Sequence, residues 1–211
     1  MRLARFGIVG DVHGEHLALA RALDSLRAWG AERILVVGDV LDGPGDVERC
    51  LDQLRAPDVD VVAGNHERWF LERTMRKLPH ATSELSPSAL AFVRTLPRTL
   101  RYETPAGPLL LCHGLGDDDM AGVRPWDEGY ALASNTALQQ LLDGREIRWV
   151  ARGHTHQRMI RHFGAALTIL NAGTLARDEQ PGLLRVDLHA RVAERLDVIG
   201  ERVVLVDAES I

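Results

Sequence analysis

The chain has 211 residues, 45% of them hydrophobic and 26% charged, with a formal net charge of −5. That is ordinary globular composition: a single domain over residues 1–211 is expected, and disordered, collagenous and membrane-spanning classes are excluded. The acidic balance and the lack of a dense Lys/Arg run give no nucleic-acid-binding signature, so an anionic substrate has to be held locally, by metals or a few arginines.

The first apolar run, Phe6–Val9, is too short for a signal-peptide core, and no stretch reaches the ~20 apolar residues of a membrane span. A cytoplasmic location without membrane contact is the expectation. Further apolar runs, enriched overall in β-branched residues, follow at Ile34–Val37, Val59–Ala63, Leu109–Cys112 and Ile147–Val150, the pattern of strands buried on both faces. Between the first three lie helical periodicities, Glu15–Trp29 and Asp46–Leu54, so the chain opens with βαβ units and an at least partly parallel sheet. From His66 to Leu96 two helices are predicted, separated near Pro79, the second restarting at Ser86-Pro87. In the tail the pattern shifts to short strands at Met159-Ile160, Leu167–Leu170, Leu183–Leu188, Val192–Val198 and Val203–Val206, which suggest a second sheet packed on the first. Gly114–Gly129 is the least patterned stretch, a solvated loop carrying Asp117, Asp118 and Asp119. Trp126 and Tyr130, in the same region, are expected in the core. Cys50 and Cys112 have no metal or disulfide spacing and read as buried small hydrophobes.

Each of the five early apolar runs ends in chemistry: Gly10-Asp11-Val12-His13-Gly14, Gly38-Asp39-Val40-Leu41-Asp42-Gly43, Gly64-Asn65-His66-Glu67, His113-Gly114 and Gly153-His154-Thr155-His156. Ligands of open α/β sheets bind at the carboxyl ends of parallel strands, so these five ends are expected to share one site. His16, His80, His162 and His189 fall outside them and read as surface or structural residues. The donors Asp11, His13, Asp39, Asn65, His113, His154 and His156 mix hard oxygens with imidazoles, which suits divalent manganese, iron, zinc, cobalt or nickel better than calcium. Seven donors exceed one four-coordinate ion and divide between two, with Asp39 the natural bridging carboxylate.

The ordered series GDVHG, GDVLDG, GNHE, CHG and GHTH resembles the five motifs of the calcineurin-like metallophosphoesterases, over residues 10 to 156. The resemblance implies a four-layer α-β-β-α sandwich of two mixed β-sheets flanked by helices. It also implies two divalent metal ions, manganese first among them, one on Asp11, His13, Asp39 and His156 and the other on Asp39, Asn65, His113 and His154. The implied reaction is hydrolysis of a small phosphate ester through attack of a metal-activated hydroxide on phosphorus. His66 is then the catalytic group at the leaving oxygen, Asp42 its support or that of a ligand. Asn65, Arg68 and Arg177 are candidate substrate contacts, with Arg124 and Arg152 as further phosphate clamps.

Protein serine/threonine phosphatases of the superfamily read GDxxDRG and RGNHE. Here Gly43 replaces the first arginine and Ala63 the second, while His154 and His156 form a pair those enzymes lack. The chain is thus more similar to small bacterial and archaeal phosphodiesterases. Nucleotide, dinucleoside polyphosphate and protein phosphatases of the same metal chemistry are alternatives, as is a non-catalytic scaffold of the same fold. A homo-oligomer is compatible with the sequence.

Overall fold

The computed structural model describes residues 2–211. The amino-terminal half begins with β1 (Arg5–Val9), α1 (His16–Trp29), β2 (Arg33–Val36), α2 (Val47–Leu54), β3 (Val59–Val61), α3 (Asn65–Glu72) and α4 (Pro87–Thr95). Local chemistry sets the helix ends. Gly30 takes the left-handed conformation that closes α1, with its amide on the Arg27 carbonyl. The Asp46 carboxylate accepts from the Arg49 amide to start α2, and the Ser86 hydroxyl accepts from Ala89 ahead of Pro87 to start α4. His16 has a similar structural duty, its Nδ1 accepting from the Asp46 amide at 3.1 Å.

The chain continues through β4 (Thr99–Tyr102), β5 (Leu109–Cys112), α5 (Tyr130–Ala133), α6 (Thr136–Gly144), β6 (Trp149–Arg152), β7 (Met159–Phe163), β8 (Leu167–Asn171), β9 (Gly182–Asp187), β10 (Val192–Ile199) and β11 (Arg202–Ser210). Two mixed sheets result. The first has strand order β11-β10-β9-β1-β2-β3, the second β4-β5-β6-β8-β7. Strands β1, β2 and β3 are mutually parallel, as are β5, β6 and β8. The tail therefore does not form a second sheet of its own, as the sequence suggested. Its strands are shared out: β7 and β8 join β5 and β6, whereas β9 to β11 extend the first sheet through antiparallel pairing of β9 with β1.

Period-two burial builds the layers. Phe6, Ile8, Leu35 and Val37 of the first sheet meet Leu109, Leu111, Ala151 and Leu170 of the second in a core between the sheets. The opposite faces carry helices: Leu19, Leu23 and Leu26 of α1 and Leu51 and Leu54 of α2 cover Val9, Ile34 and Val36, while Leu138 of α6 covers Leu110, Cys112 and Val150. This is the expected α-β-β-α sandwich. Gly7 points from β1 into α1, where any Cβ would collide with the Leu26 side chain, so helix and strand pack at the closest approach the backbone allows.

Strand β4 and helices α5 and α6 had no counterpart in the periodicity, and β6 begins at Trp149 rather than Ile147. Trp126 and Tyr130 are not core residues; they are 62% and 86% exposed. Among the described residues no helix is long and apolar enough to cross a membrane. Leu26→Ala is expected to lower the unfolding free energy by about 2–5 kcal/mol, because a fully buried side chain leaves a cavity against Gly7 that β1 cannot fill; urea denaturation followed by circular dichroism measures it.

Candidate metal centre

The carboxyl ends of the two parallel strand sets face one another across the inter-sheet core, and the turns leaving them interlock. The Asp39 carbonyl accepts from the amides of Val12 and His13 at 3.0 and 2.8 Å, joining the turn after β1 to the turn after β2. The amide of His154, after β6, donates to Asp11 Oδ1 at 3.1 Å and so ties the second sheet to the first. Five residues of these turns, His13, Asp39, Asp42, His154 and His156, have left-handed backbone with φ between 44° and 68°. Such conformations cost free energy and persist where the surroundings over-determine them, a pattern that clusters at functional sites.

All seven donors predicted from the sequence converge here. Asn65 Oδ1 lies 2.9 Å from both His113 Nε2 and His154 Nδ1, and His113 Nε2 is 3.2 Å from Asp39 Oδ2. On the other side His13 Nε2 and His156 Nε2 are 3.1 Å apart, with His156 Nε2 3.8 Å from Asp11 Oδ2. The outward nitrogens are held from behind: His13 Nδ1 by the Asp42 carbonyl at 3.0 Å, His113 Nδ1 by the Val37 carbonyl at 2.8 Å and His156 Nδ1 by Glu179 at 2.5 Å. These backing groups aim one nitrogen of each ring inward, as around imidazoles that ligate metals. Donor separations near 3 Å match the edges of a coordination shell with metal–ligand bonds of about 2.0–2.2 Å.

The electrostatics point the same way. Asp11 Oδ2 is buried and has no hydrogen-bond partner, an arrangement that is costly unless a cation completes it. Burial disfavours a charged His113, yet Asp39 and Asp11 overcome it and push the imidazole up to about 9, as expected where two carboxylates face one buried ring. Burial acts to raise Asp39 too, but His113, His66 and His13 hold it well below the usual carboxylate range. His154 moves the opposite way, lowered by burial and by the charges of His113 and Arg152. Two groups of three side chains have ligand atoms within 4.8 Å of one another, His13 with Asp39 and His66, and Asp11 with Asp39 and His113. Asp39 belongs to both.

The remaining predicted residues divide. His66 is at the centre: its Nδ1 is 2.8 Å from Asp42 Oδ2 and its Nε2 3.8 Å from Asp39 Oδ2. Arg68 leaves α3 beside the site and grips Asp119 with two hydrogen bonds of 2.6 and 2.9 Å, so at least one of the loop aspartates is structurally engaged. Arg177 is likewise bidentate on Glu15 at 2.6 and 2.9 Å, with its side chain still 58% exposed. Arg152 does not face the groove; it is fully buried, and its Nε and Nη1 donate to the carbonyls of Gly114 and Val123. The Arg124 backbone carbonyl receives the Arg161 guanidinium.

Sequence reasoning missed the supports. Glu67, given no role beyond its place in the GNHE motif, is fully buried and accepts from four backbone amides, those of Asp39, Val40, Leu41 and Gly64, at 2.7 to 3.0 Å. It thereby fastens the turn after β2 to the start of α3. Gly64 is obligatory at this junction, because a Cβ there would strike the Asp39 carboxylate. Asn171 plays a similar part for the second sheet, its amide donating to the Gly153 carbonyl and the Thr155 hydroxyl. The one usable signal was the place of Glu67 as the last residue of the GNHE motif.

Residues 4–191 match the calcineurin-like phosphoesterase superfamily domain, and the chain belongs to this family. Its fold is similar to that of Yfce, a phosphoesterase from E. coli, with a TM-score of 0.60 at 15% identity, covering 98% of this chain and 99% of that one. A metallophosphoesterase from Sphaerobacter thermophilus aligns with a TM-score of 0.64 at 18% identity over 98% and 89%. An archaeal phosphodiesterase aligns with a TM-score of 0.60 at 14% identity over 92% and 99%. No curated protein matches the sequence.

Glu67→Gln places an amide group among four N–H donors that need an acceptor. It is expected to cost about 1–3 kcal/mol, read as a lower thermal midpoint with an unchanged far-ultraviolet spectrum; an unaltered midpoint would mean that the clamp does not hold the turn.

Proposed function

We propose that the chain is a metal-dependent phosphoesterase that holds two divalent cations and hydrolyses a small phosphate ester, phosphodiesters in preference to monoesters. One cation would be held by Asp11, His13, Asp39 and His156, the other by Asp39, Asn65, His113 and His154. The observation that carries this reading is Asp39, common to both ligand triads, together with the unpartnered buried oxygen of Asp11. One triad groups Asp11 with His113, but His113 Nδ1 is occupied by the Val37 carbonyl, and its inward Nε2 faces Asn65 and Asp39. His113 is therefore assigned with Asn65.

When bound, the two cations supply charge neutralisation at the phosphoryl oxygens and acidify water at neutral pH. The chain's own residues supply the rest. His66 Nε2 faces the site and delivers a proton to the leaving oxygen, while Asp42 holds Nδ1 and fixes the ring. Arg177 can turn the guanidinium edge beyond its Glu15 partner to a phosphate oxygen, whereas Arg68, whose Nη1 also meets Glu72 at 3.4 Å, has to release that contact first. The preference for diesters rests on Gly43 and Ala63, which leave out two arginines of the protein-phosphatase pattern.

Protein stripped of metal and refilled with manganese is expected to hydrolyse a simple phosphodiester such as bis(p-nitrophenyl) phosphate faster than the matching monoester. No hydrolysis of either, in any divalent metal, would refute the reading. Asp39→Asn should weaken both metal sites together, seen by calorimetric titration as loss of two binding events; one intact tight site would show that Asp39 does not bridge.

A further inference from the structure

The segment between α3 and α4 contributes a residue to the reaction centre that no motif marks. Arg76 reaches back from it and clasps Asp42 with both guanidinium nitrogens, Nη1 on Oδ2 at 3.1 Å and Nη2 on Oδ1 at 2.6 Å. The Thr82 amide donates to the same Oδ1 at 2.7 Å, the Thr82 hydroxyl accepts from the Asp42 amide at 3.0 Å, and Arg76 Nη2 also reaches the Thr82 carbonyl. The Asp42 side chain is 1% exposed, and its one remaining partner is His66 Nδ1. A carboxylate ionised under these donors can only accept, so His66 Nδ1 carries a hydrogen and Nε2 is the nitrogen turned to the site.

We propose that Arg76 is a positioning residue for His66: by fixing and neutralising Asp42 it keeps the Nδ1 hydrogen on the ring and sets its aim, so that Nε2 is the nitrogen that gives a proton to the leaving oxygen. This rests on the phosphoesterase reading. In that step the ester P–O bond breaks as the oxygen of a hydroxide, water that has already lost one proton to solvent, bonds to phosphorus; the Nε2 hydrogen of protonated His66 passes to the departing oxygen, leaving the neutral Nδ1–H imidazole and an alcohol, and solvent returns the proton to Nε2. A lysine at position 76 keeps the charge but loses the fork that meets both carboxylate oxygens. Arg76 and Thr82 both lie in residues 73–86, which lack regular secondary structure, so this segment reaches the reaction centre through these two residues.

The test uses manganese-loaded wild type, Arg76→Met, Arg76→Lys, His66→Gln and the double variant on phosphodiesters whose leaving groups run from nitrophenol to simple alcohols. Arg76→Met should lose about 10- to 100-fold in kcat on alcohol leaving groups, with KM little changed and nitrophenyl esters nearly unaffected, since a good leaving group needs no proton. His66→Gln should show the same dependence, the double variant should be no slower than His66→Gln, and Arg76→Lys should recover part of the loss. Equal loss across all leaving groups, or independent losses in the double variant, would overturn the proposal. Nitrogen-15 spectra of the His66 imidazole provide an arm independent of turnover: a single Nδ1–H tautomer in wild type should become a mixture in Arg76→Met and, less fully, in Arg76→Lys. If wild type hydrolyses no ester, the phosphoesterase reading fails while this arm still decides whether Arg76 sets the ring; an unchanged tautomer in both variants would show that it does not.

Discussion

One buried carboxylate sets the geometry on which the site depends. Glu67 gathers four amides from two chain segments into a single acceptor, and in doing so decides where Asp39 stands. Its own charge is disfavoured there: burial and the nearby Asp39 raise its pKa, and the amides together with the charge of His113 counter them only in part. The balance is of a kind met wherever a polar group is buried, expensive alone and rigidifying when fully satisfied. Because the Asp39 carbonyl in turn receives the amides of Val12 and His13, the position of Glu67 propagates from α3 through the second turn to the first.

The second sheet is fastened to this frame by the His154 amide on Asp11, by the ring of His113 beneath Val37 and Asn65, and by the chain after β8, where the Asp11 amide donates to the Gly173 carbonyl and the Asp11 carbonyl accepts from the Leu175 amide and the Thr174 hydroxyl. The site is thus a seam between two sheets that share an apolar core. Each sheet supplies a rigid row of strand ends, and the donor residues meet at the carboxyl ends of the parallel strands, while Tyr102 Oη on Asp60 and the Leu3 amide on the Glu103 carbonyl tie the sheets together elsewhere. That division of labour lets Asp11, Asp39 and His113 be almost wholly buried while remaining mutually satisfied except for the one oxygen that faces the centre of the donor set.

Much of this was legible in the sequence, for a physical reason. Strands buried on both faces announce themselves as unbroken apolar runs, and a fold that binds at strand ends puts its donors directly after those runs, so Asp11, Asp39, Asn65, His113 and the His154–His156 pair could be found by reading outward from hydrophobicity. What could not be read was pairing. Whether β9 lies beside β1 or in the other sheet depends on register across the chain, which apolar runs do not encode, and so the tail strands were grouped together. The supports failed for the same reason. Arg76 and Asp42 are 34 residues apart, His156 and Glu179 23, and neither pair has a spacing that local periodicity would mark. Strand β4, with its mixed TLRY, and the short helix α5 carry too little pattern to stand out.

The left-handed backbone at His13, Asp39, Asp42, His154 and His156 has a consequence for how this site can change. Outside glycine, the residues that enter that conformation most readily are asparagine, aspartate and histidine, because they are not branched at Cβ and have a short polar side chain. Those are also residues whose side chains donate oxygen or imidazole nitrogen to a cation. Backbone shape and ligand chemistry therefore filter for the same small alphabet, so that exchanges within it alter the chemistry of the centre while keeping its shape, and exchanges to valine, isoleucine or threonine are resisted by the main chain before any ligand is considered.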